Sequence, residues 1–144
     1  MPVRRERSAG AVIFIGSGGE RRYLLLHYLE GHWDLVKGHI EGAETERQAA
    51  AREAREEAGL ADLVFVEGFR ERIGYSFRRP GGAVHKDVVF FAAQTKQEKI
   101  TLSREHKGFA WLPYKDALAR LTYDNARNVL GKAHERLSGG NPGR

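Results

Sequence analysis

The sequence predicts an α+β fold, an α/β/α sandwich around a central mixed β-sheet. Three observations carry that expectation. Compact apolar runs of strand length recur along the chain and stop at glycine or polar turn residues. One charged segment, residues 46–58, carries helix start and stop signals. Two further helical segments near the C-terminus supply helices to pack on the sheet.

Each element has its own local reason. Residues 9–15, AGAVIFI, form an apolar run that ends at Gly16, the pattern of a buried strand. Residues 17–20 are a turn and residues 23–28, YLLLHY, the returning strand, so the two are expected to form a hairpin. Residues 32–36 read as a short strand before a glycine-punctuated loop over 38–43. Thr45 with Gln48 three residues on is a capping-box pattern. Gly59 suits the left-handed residue beyond a helix end, so the helix spans 46–58 and Glu44 lies just outside it. Strands are expected at 63–66, 69–77, 88–93 and 109–112. Residues 113–121 and 122–137 read as helices, the second burying Val129, Leu130 and Ala133. Residues 138–144, SGGNPGR, read as a frayed tail, which leaves one domain over 1–137.

Composition narrows the class. A chain of 144 residues suits one domain with a sizeable core. Cysteine is absent, so disulfides and thiolate chemistry are excluded and a reducing, cytoplasmic setting is expected. The basic N-terminus MPVRRERSAG has no apolar segment behind it, unlike a signal peptide. No apolar run approaches the ~18 residues that cross a bilayer, so no membrane partner is expected. Net charge is +5, and 17 of the 24 basic residues are arginine. Arginine forks onto phosphate through two hydrogen bonds, so an anionic partner fits, either a nucleotide or a nucleic acid. A GC-rich genome would enrich arginine as well. Arg4, Arg5, Arg7, Arg78 and Arg79 extend the basic character, but no nucleic-acid motif accompanies them.

The stretch AREAREEAGL, residues 51–60, carries the chemistry. Glu53, Glu56 and Glu57 stand at i, i+3, i+4, which puts three carboxylates on one helix face. Exposed like charges at that spacing cost about 0.2–0.5 kcal/mol per pair, a load that a solvated face tolerates. Arg52 offsets part of it by reaching Glu56 at i+4. Ala49 and Ala50 are expected to leave room above the acidic face, and Ala51, Ala54 and Ala58 to let the helix approach a sheet. Hard oxygen ligands at this density suit Mg²⁺ or Mn²⁺ together with substrate phosphate.

These residues extend into a longer pattern. Gly38, five residues, Glu44, seven residues, then REAREEAGL over 52–60 matches the Nudix box at every specified position. The chain therefore resembles the Nudix hydrolases. That resemblance implies a loop–helix–loop site on a mixed-sheet sandwich, divalent metal on the helix glutamates, and hydrolysis of a nucleoside diphosphate linked to another moiety. Glu53, Glu56 and Glu57 are the expected metal ligands, and the Gly38 carbonyl joins them. Glu44 either pairs with Arg52 to hold Glu53 in place or serves the helix dipole. A carboxylate must take the proton of the attacking water. Glu56 is the first choice and Glu53 the second, and the sequence does not separate them.

The flanks narrow the substrate by resemblance. WDLVKGHIE over 33–41, EGFRERIGY over 67–75, HKDVVFF over 85–91 and LSREHK over 102–107 resemble the asymmetrical diadenosine tetraphosphate hydrolases of the Nudix family. The likeness runs along residues 8–137. One departure is Leu35-Val36, where that group usually has proline or Phe-Pro. The resemblance implies that His32, Lys37 and Lys86 contact phosphates, that Tyr75 and Tyr123 grip an adenine, and that Glu105 joins the metal cluster. Each has a plainer alternative: a solvated strand lysine for Lys86, a helix-covering ring for Tyr123, a loop charge for Glu105. His39 and His106 could orient the loop, but as lone histidines they read as structural. The implied reaction is diadenosine tetraphosphate plus water to ATP plus AMP. Alternatives are pyrophosphate removal from a damaged nucleoside triphosphate, ADP-ribose or an RNA 5′ end, or a non-catalytic nucleotide-binding regulator. No protein partner is implied.

Overall fold

The computed structural model describes residues 3–139. The elements run β1 (Arg4–Ile15), a 3₁₀ turn (Gly18–Glu20), β2 (Arg22–Tyr28), β3 (Trp33–Asp34), β4 (Val36–His39), α1 (Glu46–Ala58), β5 (Val64–Phe65), β6 (Glu71–Arg79), β7 (Gly82–Gln94), β8 (His106–Leu112), α2 (Tyr114–Arg120) and α3 (Asp124–Leu137).

Strand β1 is the axis because both of its edges are paired. It runs parallel to β7 from Arg4↔Val84 to Phe14↔Gln94. On the other edge it is antiparallel to β4 from Ser8↔His39 to Ala11↔Val36. The expected hairpin with β2 is reduced to Phe14↔Tyr23 and Ile15↔Arg22, because β4 takes the rest of that edge. β2 then pairs β3 and β8, while β5 and β6 both pair β7, giving one mixed eight-stranded sheet.

Period-two alternation sends successive side chains to opposite faces. Val12 and Phe14 join Tyr23, Leu25, Val88 and Phe90 under α2 and α3, which contribute Ala117, Ala126, Val129, Leu130 and Ala133, with Leu121 just beyond α2. Ala11, Ile13, Leu24, Leu26 and Val36 face the other way, against Ala54 and Ala58 of α1. Helices therefore cover both faces, as the sandwich expectation requires. No helix among the described residues is long and apolar enough to cross a membrane.

Differences from the sequence reading have physical causes. The apolar runs mark only the buried half of β1 and β7; their polar halves, residues 4–8 and 82–87, are strand because they pair. The strand expected at 32–36 breaks at Leu35, and Gly38 and His39 belong to β4 rather than to a loop. Gly10 allows this: a Cβ there would meet the Val36 carbonyl oxygen at 2.0 Å, so only glycine lets the two backbones approach. Ala49 and Ala50 do not leave room over the acidic face. Both are 0% exposed and pack on Ala9, Val89 and Phe91. The capping box forms as predicted, with Gln48 N donating to Thr45 Oγ1 at 3.0 Å and Thr45 N to Gln48 Oε1 at 2.9 Å. Gly59 takes φ 73°, the left-handed cap. Of the tail expected at 138–144, positions 140–144 lie outside the described residues.

Candidate active site

Glu53, Glu56 and Glu57 of α1 share a side of the helix but not an environment. Glu53 and Glu57 are buried, at 8% and 6% exposure, whereas the Glu56 side chain is 56% exposed at the rim. The helix packs its alanines on the sheet, so the i, i+4 pair at 53 and 57 is drawn in beside β4.

Arg52 ties this acidic cluster together. Its Nε and Nη2 fork onto Glu44 Oε2 and Oε1 at 2.6 and 3.1 Å. Nη2 also donates to the His39 carbonyl at 2.8 Å. Nη1 bridges Glu53 Oε2 at 2.9 Å and Glu56 Oε1 at 3.1 Å. Glu44 in turn accepts from the Glu41 N–H at 2.9 Å. The Arg52 hydrogen bond is the main reason the Glu44 carboxyl is held below its ordinary range. Glu44 thus meets Arg52, and Arg52 meets Glu53.

Glu57 has the opposite fate. Burial, then the charges of Glu53 and Glu105, push its carboxyl up to about 9. Its Oε1 has no hydrogen-bond partner. The imidazole Nε2 of His106 faces it at 3.8 Å and is also unpartnered. Burial lowers the His106 ring's affinity for a proton below its ordinary range.

An open cleft of about 550 Å³ unites Glu53, Glu56 and Glu57 with Gly38, Lys37, Lys86 and Glu105. Among the described residues no three His, Asp or Glu side chains converge as they stand into a ready metal cage. Arg52 Nη1 bridges two of the carboxylates, Glu53 and Glu56. The donors still fit a hard dication. Glu53 and Glu57 are buried carboxylates, Glu56 and Glu105 line the same cleft, and Glu53 fills the space that a Cβ on Gly38 would take.

Next to the cleft lies a cavity of about 420 Å³, lined by His32, Asp34, Lys37, Ile73, Tyr75, Phe90, Tyr123, Asn125 and Ala126. Lys37 lines both spaces. Tyr75 on β6 stands directly opposite Lys86 on β7, so both side chains leave the same face of the sheet, Tyr75 lining the cavity and Lys86 the cleft. Burial, then Lys37, lowers the Lys86 ammonium below its ordinary range. His32 stacks on Tyr28 with centroids 4.6 Å apart and stands 5.6 Å from the Tyr123 ring. His39, by contrast, sits at the cleft edge near Glu6, 3.9 Å away.

Three site residues escaped the sequence reading. Asp34 is 4% exposed; its Oδ1 accepts from the Leu35 N–H at 2.7 Å and its Oδ2 lies 3.5 Å from Lys37 Nζ. Asn125 lines the cavity and Tyr28 the cleft. Period-two alternation in WDLV gave no sign that the aspartate turns inward beside a lysine. His106 was seen but read as structural, because its neighbour Glu57 is 49 positions away in sequence.

A family model describing the Nudix domain matches residues 4–132. The chain belongs to the Nudix family. Among Nudix relatives, the pig asymmetrical bis(5′-nucleosyl)-tetraphosphatase is 34% identical over 122 residues, 80% of each chain. The Caenorhabditis elegans enzyme of the same name is 32% identical over 139 residues, 92% of this chain and 97% of its own. A crystal structure of a C. elegans Ap4A hydrolase binary complex superposes with TM-score 0.82 at 31% identity, covering 93% of this chain and 98% of that one. The Nudix domain of Shewanella oneidensis NrtR bound to ADP ribose has TM-score 0.71 at 20% identity, a likeness of fold alone. As a Nudix hydrolase the protein cleaves nucleotide polyphosphates, and the family works with divalent metal ions.

Proposed function

We propose that residues 1–137 act as one catalytic domain that hydrolyses diadenosine tetraphosphate to ATP and AMP in the cytoplasm, with Mg²⁺ or Mn²⁺. One observation carries the reading. An aromatic-walled cavity of about 420 Å³ opens beside the acidic cleft, and Lys37 stands on the boundary of both. A nucleoside fits the first space and a charged phosphate chain the second. The C. elegans and pig relatives named for this substrate class support it.

Glu53, Glu56, Glu57, Glu105 and the Gly38 carbonyl would hold the metal. When bound there, it offsets phosphate charge and makes water easier to deprotonate. The remaining work belongs to side chains. Tyr75 and Tyr123 flank the base, and His32, Lys37 and Lys86 neutralise the phosphate bridge. Glu56 takes the proton of the attacking water, because it is the exposed carboxylate at the rim; Glu53 is the second candidate. Arg52 keeps Glu53 and Glu56 oriented, and Glu44 keeps Arg52 in place. The water oxygen bonds to one bridge phosphorus, an outer anhydride bond breaks, and ATP and AMP leave.

The test is product analysis with Mg²⁺ over diadenosine tetraphosphate, ADP-ribose, oxidised nucleoside triphosphates and 5′-triphosphate RNA. Equimolar ATP and AMP as the fastest reaction is the expected result. Faster pyrophosphate release from a triphosphate would move the substrate assignment. Tight binding without turnover would make the protein a regulator.

A further inference from the structure

We infer that His106 is a positioning residue, whose Nε2–H holds Glu57 Oε1 and thereby turns the second Glu57 oxygen toward the acidic cleft. The inference rests on the reading of Glu57 as a metal-holding group.

The argument starts from Ser103. The Glu105 N–H donates to Ser103 Oγ at 3.3 Å, so that oxygen is already an acceptor. Its hydrogen is free to donate to His106 Nδ1, 2.9 Å away. Nδ1 as acceptor puts the hydrogen of a neutral imidazole on Nε2. That nitrogen is buried, with the His106 side chain 0% exposed, and it faces Glu57 Oε1 across 3.8 Å. Both atoms are without a hydrogen-bond partner. A buried donor and a buried acceptor that face each other are rarely left unsatisfied. The gap is roughly 0.9 Å longer than an N–H···O bond, within reach of a small carboxylate rotation.

The surroundings leave the pair few other options. The Tyr28 ring stands edge-on to the imidazole at 4.3 Å, and the Tyr28 hydroxyl is fixed on the Leu35 carbonyl at 3.0 Å. Backbone bonds from Thr101 N to Ala58 O at 3.0 Å and from Ser103 N to Glu57 O at 3.2 Å tie this loop to the end of α1. The same loop carries Glu105. Ser103, His106 and Glu57 therefore lock two carboxylates from distant parts of the chain into one arrangement. Outer partners of this kind tune the affinity of the groups they hold.

The experiment is Mn²⁺ binding to the metal-stripped protein without nucleotide, read from the free-Mn²⁺ electron paramagnetic resonance signal. Thermal midpoints are measured alongside. His106→Leu keeps the volume and loses the donor, and its Mn²⁺ affinity is expected to fall about 10–100-fold. In His106→Gln the amide nitrogen reaches close to the Nε2 position, and affinity is expected to stay within about 3-fold of wild type. Ser103→Ala is expected to weaken binding in the wild-type background and to be silent in the His106→Gln background. Equal Mn²⁺ affinity in His106→Leu and wild type overturns the inference while leaving the site reading intact. So does equal loss in the Leu and Gln variants, which would mark a packing role. No Mn²⁺ uptake by wild type, or uptake unchanged in Glu57→Gln, overturns the metal-site reading and the inference with it.

Discussion

Gly38 in β4 and Glu53 in α1 touch so closely that a side chain on one would occupy the space of the other. A Cβ on Gly38 would lie 2.1 Å from Glu53 Cδ and 2.2 Å from its Oε2. The Gly38 φ is not left-handed, so space rather than backbone conformation demands the glycine here. Gly38→Ala is expected to push the Glu53 carboxylate aside and lower kcat about 100-fold, the usual cost of an ångström of misplacement. Steady-state kinetics checks this, and unchanged kcat would mean that the position of Glu53 is immaterial.

Glu53→Gln and Glu57→Gln are each expected to lose most activity, because each removes a buried carboxyl group that would hold the metal in the cleft. Glu56→Gln separates the two candidates for the base. If Glu56 takes the proton, the variant loses about 10²–10⁴ in kcat while Mn²⁺ binding changes less. Near-wild-type turnover in Glu53→Gln or Glu57→Gln would sink the site.

Arg52→Lys tests the fork. A lysine carries the charge but cannot meet Glu44 through two nitrogens while reaching Glu53, Glu56 and the His39 carbonyl. The expected outcome is a loss of kcat of tenfold or more with a smaller change in KM. A kinetic match to wild type would show that charge alone suffices.

The raised Glu57 carboxyl gives a pH signature in the metal-free protein. Its folded pKa of about 9 exceeds the ordinary 4.5, so the native state holds a proton that the unfolded chain releases. That contribution is fully present below 4.5 and is lost as pH rises through about 9. Buried His106 and half-buried His134, whose affinities for protons are lowered, act in the opposite sense below their ordinary 6.5. Urea unfolding across pH 5–9 should therefore show wild type losing stability relative to Glu57→Gln as pH rises. Saturating Mn²⁺ should cancel the loss. Parallel profiles would refute the buried-carboxyl assignment.

Tyr75→Ala and Tyr123→Ala are expected to raise KM for diadenosine tetraphosphate several-fold each, since stacking an aromatic ring contributes about 0.5–1.5 kcal/mol. Asp34→Asn should act through Lys37, its partner at 3.5 Å, and also raise KM. Unchanged KM in both tyrosine variants would move the nucleoside out of the cavity.

The acidic helix, its capping box and its glycine stop were legible in the residues themselves, because caps and i, i+4 spacing are local. So were the buried halves of β1 and β7, marked by apolar runs, and the membership of the glutamates in a known pattern. The polar strand halves were not, since residues such as Arg5 and His85 become strand by pairing with each other rather than by their own propensity. The roles of Ala49 and Ala50 were misjudged because a helical wheel does not say where the sheet lies.

The sequence by itself determined which groups are available: a charged helix set with a glycine before it, and aromatic and basic residues spaced along the flanks. Tertiary structure decided which of them are buried and what each one meets. It split three equivalent-looking glutamates into two inner and one outer, placed His106 against Glu57, and set Asp34 beside Lys37. The physical reason is that burial and long-range contact arise only when the sheet is assembled. A carboxylate's proton affinity depends on that assembly and not on its neighbours in the chain.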